Sequence, residues 1–538
     1  MHVSGMGFIG AELYLTTIVG PISSRSRIIV ISIRFFRRFA FTIFFLTTIF
    51  ALLVLSSLSL SLVSTPVAEA AVYNVALVSP ANAALVDPTP VGVSFEFFMW
   101  PSYMTNVTPP VQCLKQLDKV YGQKTPIRIG GTTQDRALYD PDFKGYVNYH
   151  VDGPLDPPLS LTYGPKFFDL IGELGAPTVL GLNRGSNNRS NTFAALQVAK
   201  AKVARSLTAI ELGNEPDVYA AIWNLRPEPW TDVEEAAEQA DWAQELINKW
   251  KSPLPILSAG VYAVSFQITA TWPTTRYLIE TAFNSTIKSA VKFYCNHLYT
   301  TTEGRPLSDE MNHAATVRSL APQIDSVAAA ASVGNRHIIG ETNFHVDEPP
   351  QDRTFGSALQ TLDKSLWAVA TGVQRLYFHQ GTVNSAPWNW WSNDLVEPPF
   401  YGGYFAALAL ARSDQIVAID SGLDSYAQYV VYKRGKPIRA VMINTDYYSG
   451  TGVRNSTTFT LTGLRGSKSI ESLRLTAPSS DFIFESGQRP GSGITVGGSF
   501  FSNSDCALRG NQKLESTQQK AGIATFTLMA SESLIVYL

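Results

Sequence analysis

Two glutamates stand in matching local frames, and their chemistry organises the chain. The run Leu207-Thr-Ala-Ile-Glu-Leu212 breaks at Gly213-Asn214-Glu215-Pro216, and Arg336-His-Ile-Ile-Gly340 runs into Glu341-Thr342-Asn343. In each case an apolar run of strand length ends at a glycine and carries a carboxylate just beyond it. Pro216 lacks an N–H and restricts the residue before it, which predicts Glu215 extended at the strand end and presented to a cleft. Two carboxyl groups so placed suit chemistry at the anomeric carbon of a sugar. One gives a proton to the leaving oxygen, and the other attacks or activates water. A gap of about 5–5.5 Å between them would retain configuration, and about 6.5–9.5 Å would invert it.

Positioning both groups at one mouth requires a repeating scaffold. Strand patterns at Val91–Phe97, Pro126–Gly131, Thr178–Asn183, Leu207–Leu212, Ile256–Gly260, Val291–Tyr299, Arg336–Gly340 and Val373–His379 alternate with helical patterns, the last of these over Phe405–Arg412. Eight such units predict an α/β fold, a (β/α)8 barrel over 91–412 with its site at the carboxyl ends of the strands. A doubly wound open sheet would bring a glycine-rich phosphate loop after the first strand, and Glu96-Phe-Phe-Met-Trp100 is not one. From 413 to 538 short alternating segments separated by turns predict an antiparallel β-sandwich. A strand near Val72, within 71–90, is expected to precede the barrel and to be able to complete that sandwich.

Composition narrows the classes. Across 538 residues, 45% are hydrophobic and 16% charged, as in a packed globular chain, and a net charge of −2 makes no electrostatic case for nucleic acid. Residues 1–70 read as a signal peptide or signal anchor. Arg25, Arg27, Arg34, Arg37 and Arg38 precede an apolar block from Phe39 to Val63, and Ala68-Glu69-Ala70 fits a cleavage site. The expectation is a secreted protein, membrane-held only if the leader stays uncleaved. Asn106, Asn188, Asn284 and Asn455 head N-glycosylation triplets. Three cysteines, Cys113, Cys295 and Cys506, allow one bridge at most, with Cys295 inside a buried strand. Zinc spacing, a phosphate loop, a Ca²⁺ loop and a Gly-x-Ser-x-Gly elbow are all absent from the sequence, so neither metal nor cofactor is expected.

The strand ends at Asn214-Glu215 and Glu341 resemble the retaining glycosidases of clan A. Val93-Ser-Phe-Glu-Phe97, Arg128-Ile-Gly-Gly131, Gly213-Asn-Glu-Pro-Asp217 and Gly340-Glu-Thr-Asn343, with the sandwich behind them, resemble glycoside hydrolase family 79 and its fungal β-glucuronidase branch. That resemblance implies a retaining exo-β-glucuronidase acting on terminal glucuronic acid or its 4-O-methyl ether, with Glu215 as acid/base and Glu341 as nucleophile. It implies Asn214 at the sugar 2-hydroxyl, and Tyr299, or else Tyr294, donating to Glu341. Glu96 either accepts sugar hydroxyls or pairs with Arg128. His297 would support the site from behind rather than touch the sugar. Tyr401, in an aromatic eighth loop from Gln380 to Gly403, is a candidate for the glucuronate carboxyl. The alternatives are another clan A enzyme, endo-acting like heparanase or specific for neutral sugars, and a wall-binding protein that has lost its chemistry.

Overall fold

A computed structural model of the chain describes residues 70–263, 274–300, 304–345, 351–465, 469–485 and 491–538, together with two short strands, Tyr14–Thr16 and Val30–Ser32. Met1–Val67 forms one compact unit, in which those two strands pair antiparallel, and Ala68–Leu538 forms another. The rest of the leader, including its arginines at 25, 27, 34, 37 and 38 and its apolar block, lies outside the described residues. Among the described residues no helix is long and apolar enough to cross a membrane.

In the larger unit eight parallel strands close a barrel: Val91–Glu96, Ile127–Gly130, Thr178–Leu182, Leu207–Leu212, Leu257–Tyr262, Val291–Thr300, His337–His345 and Arg375–Gln380. Closure comes where the eighth strand pairs with the first, Leu376 opposite Val91. Helices cover the outside and side chains fill the inside, so the strands are buried on both faces and read as nearly unbroken apolar runs. The helices carry local start signals. Thr231 and Glu234 make a capping box ahead of Asp232–Trp250, and Thr354 caps Phe355–Ala370. A small three-stranded sheet, Ala137–Tyr139, Val147–Tyr149 and Leu161–Tyr163, rises from the rim after the second strand. Strands of three residues are too short to leave a periodic pattern.

The eighth unit differs from expectation. Its helix begins at Pro398, not Phe405, and runs to Leu410. Pro398 and Pro399 suit a first helical turn, where no amide hydrogen is needed. Tyr401, Gly402 and Gly403 therefore sit inside a helix rather than on a loop. The two glycines are there for close packing: a Cβ at Gly402 would run into the Ala358 carbonyl, and one at Gly403 into the Trp390 ring.

The sandwich stacks Tyr426–Lys433, Lys436–Asn444, Glu532–Tyr537 and Ser469–Thr476 in one sheet against Ser456–Thr462 and Ala524–Met529 in the other. Ala70–Asn74 adds a parallel strand beside Ser456–Thr462, Val72 opposite Thr460. Barrel and sandwich are tied by a Cys113–Cys506 disulfide, while Cys295 stays free and buried. They are also tied by charge: His313 on a barrel helix bonds Asp363 (2.8 Å) and, across the junction, Asp420 (3.0 Å), while Tyr429 of the sandwich donates to Asp363 (2.6 Å).

Candidate active site

The turn after the fourth strand carries positive φ at two of three consecutive residues. Gly213 has φ 85°, and a side chain there would strike the Tyr219 hydroxyl. Glu215 is not extended, as the following proline predicted; it sits left-handed at φ 50°, ψ 56°. Tertiary ties override the local preference. The Glu215 amide donates to Val261 O (3.0 Å) on the fifth strand, and Val218 N donates back to Glu215 O (3.1 Å). Asp135 accepts from the amides of Asn214 (2.7 Å), Arg184 (2.9 Å) and Gly185 (2.8 Å) and from the Tyr219 hydroxyl (2.7 Å). A non-glycine residue in this region costs about 1–3 kcal/mol and persists where its surroundings over-determine it.

The turn aims Glu215 at Glu341. One oxygen of each, together with a ring nitrogen of His297, lie within 4.8 Å of one another. Their surroundings are opposed. Burial would raise the Glu341 carboxyl, but His379, Arg128 and the Tyr299 hydroxyl bond outweigh it and hold the group down at about 2. Tyr299 donates to Glu341 Oε1 (2.7 Å) and Arg128 Nη1 to Oε2 (2.7 Å), with His379 Nδ1 3.5 Å from Oε2. The alternative donor, Tyr294, has a buried hydroxyl with no partner among the described residues. Glu215 is pushed up to about 8 by burial and by the Glu341 charge. A proton donor thus faces an ionised carboxylate, the pairing that cleavage of a glycosidic bond needs.

His297 touches Glu215 directly, Nδ1 to Oε1 at 2.9 Å. Burial keeps the imidazole neutral, with its pKa down at about 3. Among the described residues its buried Nε2 has no partner, which an unprotonated ring nitrogen tolerates better than an N–H. The proton therefore belongs on Nδ1, donating to Oε1, and the acid proton of Glu215 is left on Oε2. Asn214 is oriented in the same manner: its Oδ1 accepts from Arg128 Nη2 (2.9 Å), which leaves the amide NH2 free to donate.

Glu96 reaches the site without pairing with Arg128. Its Oε1 accepts from Thr133 N (2.9 Å) and Oγ1 (2.5 Å), and its Oε2 lies 3.3 Å from His379 Nε2. Tyr401 does not reach the site at all. It is buried between barrel and sandwich, its hydroxyl accepting from Phe501 N (3.0 Å) and its ring against Phe484 and Phe501. Of the eighth-loop aromatics, Trp388 packs edge-on to Tyr299 at 5.9 Å, whereas Trp390 and Trp391 are core. Arg128 and His379 were missed as site residues. The signal for Arg128 was present, an arginine inside an otherwise apolar buried strand.

The Glu215, His297 and Glu341 atoms are also close enough to meet around a cation. The Arg128 guanidinium already on Glu341 opposes one by charge and by occupying an oxygen.

The profile of the glycosyl hydrolase family 79 C-terminal beta domain matches residues 428–535. A β-glucuronidase of Aspergillus niger is 30% identical over 403 residues, 68% of this chain and 73% of its own length. A β-glucuronidase of Neurospora crassa is 27% identical over 414 residues, 67% and 72% of the two chains. The crystal structure of a 4-O-α-L-rhamnosyl-β-D-glucuronidase from Fusarium oxysporum 12S, in complex with Rha-GlcA, superposes with a TM-score of 0.81 at 37% identity, covering 87% of this chain and 100% of that one.

Proposed function

Since this chain belongs to glycosyl hydrolase family 79, we propose that it is a retaining exo-β-glucuronidase that releases terminal β-linked glucuronic acid from glycans by double displacement. The observation that carries the reading is the approach of Glu215 and Glu341 to within 4.8 Å with opposite protonation. That gap suits direct attack by one carboxylate on the sugar and leaves too little room for the water of an inverting enzyme. Glu341 is the nucleophile, kept ionised by Tyr299 and Arg128, and Glu215 is the acid and then the base. The amide of Asn214 points to the 2-hydroxyl, and Glu96 accepts from hydroxyls deeper in the same subsite.

The likeness to an enzyme crystallised with a rhamnosyl-capped glucuronate supports acceptance of a substituent at O4, whether rhamnosyl or methyl. Secretion is part of the proposal. All four glycosylation asparagines are exposed, and a disulfide suits an oxidising compartment.

The test pairs an aryl β-glucuronide with the matching β-glucoside and follows the first-formed anomer by NMR. We expect turnover of the uronide with the β-anomer formed first. An α-product, or a preference for the glucoside, overturns the reading.

A further inference from the structure

Beneath the two facing glutamates lies a third carboxylate that no step described so far uses. Glu211, on the fourth strand, is wholly buried and does not open on the cavity. Its Oε2 accepts from Arg128 Nε (2.7 Å), and its Oε1 accepts from Ser258 Oγ (3.2 Å), with Cys295 Sγ 3.7 Å away. Arg128, equally buried, spends its other donors on Glu341 (2.7 Å), Ser94 Oγ (3.1 Å) and Asn214 Oδ1 (2.9 Å). One cation is thus shared by two carboxylates. Burying a second anion is costly when a single counter-ion would satisfy the arginine, so the second anion must have a use.

The double displacement supplies that use, and the inference rests on that reading. In the first step a Glu341 oxygen bonds to the anomeric carbon, the glycosidic C–O bond breaks, and its electron pair leaves with the aglycone oxygen, which takes the proton from Glu215. Glu341 is then a neutral ester and Arg128 has lost one of its two anions. In the second step Glu215 takes a proton from water, whose oxygen bonds to the anomeric carbon while the ester electron pair returns to Glu341. We propose that Glu211 is a positioning residue that acts through Arg128, remaining as its counter-ion during the interval when Glu341 carries no charge. Because the guanidinium is planar and rigid, fixing Nε also fixes the hydrogens aimed at Glu341 and Asn214. The charged and titratable groups around Glu211 are Arg128, Cys295, His297, Glu341 and Tyr377, and Arg128 is the cation in direct contact.

The experiment is stopped-flow hydrolysis of a dinitrophenyl β-glucuronide by wild type, Glu211→Gln and Glu211→Asp, with a thermal melt of each. Wild type is expected to show a burst of phenolate as the glycosyl-enzyme accumulates. Gln keeps an acceptor for Nε–H but no charge; glycosylation should slow roughly 100-fold, the scale of an uncompensated buried charge, and the burst should vanish. Asp keeps the charge and should recover most of the glycosylation rate. If the Gln variant fails to fold, Asp is compared with wild type directly and should show a smaller fall confined to glycosylation. A burst in the Gln variant equal to wild type, or equal losses in both steps for either variant, overturns the proposal. An inverted wild-type product refutes the retaining mechanism instead, so the two failures are distinct.

Discussion

Replacing Glu341 with Gln should convert Glu215 from a group that holds its proton at neutral pH into one that releases it. At 4.8 Å, the upper limit on the separation of the two facing oxygens, two unit charges interact by about 3.5 kcal/mol at an effective dielectric constant of about 20, which corresponds to about 2.5 pH units. Glu215 stands at about 8, raised by burial first and by Glu341 second. Glu341→Gln removes only the second cause, so Glu215 should titrate near about 5.5. The same fall is expected when Glu341 becomes a sugar ester, and it is what turns the proton donor of the first step into the base of the second. The assay is a carbon-13 NMR titration of glutamate-labelled protein, with Glu341→Gln/Glu215→Gln as the control that assigns the resonance. A Glu215 signal in Glu341→Gln that titrates within about half a unit of wild type would show that burial alone sets its affinity, and the reasoning from the facing charges would fail.

Tyr299→Phe keeps the ring against Trp388 but removes the donor to Glu341 Oε1. A hydrogen bond to a charged group is worth about 1.5–3 kcal/mol, so the Glu341 carboxyl should rise by about 1–2 units from its depressed value, carrying the acid limb of kcat/KM upward; an unmoved limb refutes the assignment. His313→Gln should destabilise the fold by about 3–5 kcal/mol near pH 6, read by thermal melts. His313 is raised to about 10 in the folded state by Asp363 and Asp420 against the opposing effect of burial. Its contribution is therefore complete below the unfolded value of about 6.5 and lost as pH rises through about 10, and a gap from wild type that widens toward pH 10 would contradict this.

The barrel was readable because a parallel strand buried on both faces writes itself as a run of apolar residues with a punctuating glycine. The two glutamates were readable because they stand at the ends of such runs. What surrounds them was not. Arg128 collects partners from the first, fourth and seventh strands, and no spacing along the chain records that convergence. The left-handed Glu215 escaped because the proline rule is local, whereas the carbonyl that takes its amide belongs to Val261 on the neighbouring strand. Tyr401 was misplaced because paired glycines signal a turn and close helix contact equally well, and only the Ala358 backbone beside Gly402 distinguishes the two.

The parallel pairing of Ala70–Asn74 with Ser456–Thr462 bears on how the polypeptide is made. The earlier segment leaves the ribosome about 380 residues before its neighbour exists, a wait of roughly 20–80 s at ordinary elongation rates. Throughout that time its amides and carbonyls have only water or a chaperone for company. The sandwich therefore closes around its earliest strand only when its later ones are made, and a nascent chain released early would leave that strand without its partner.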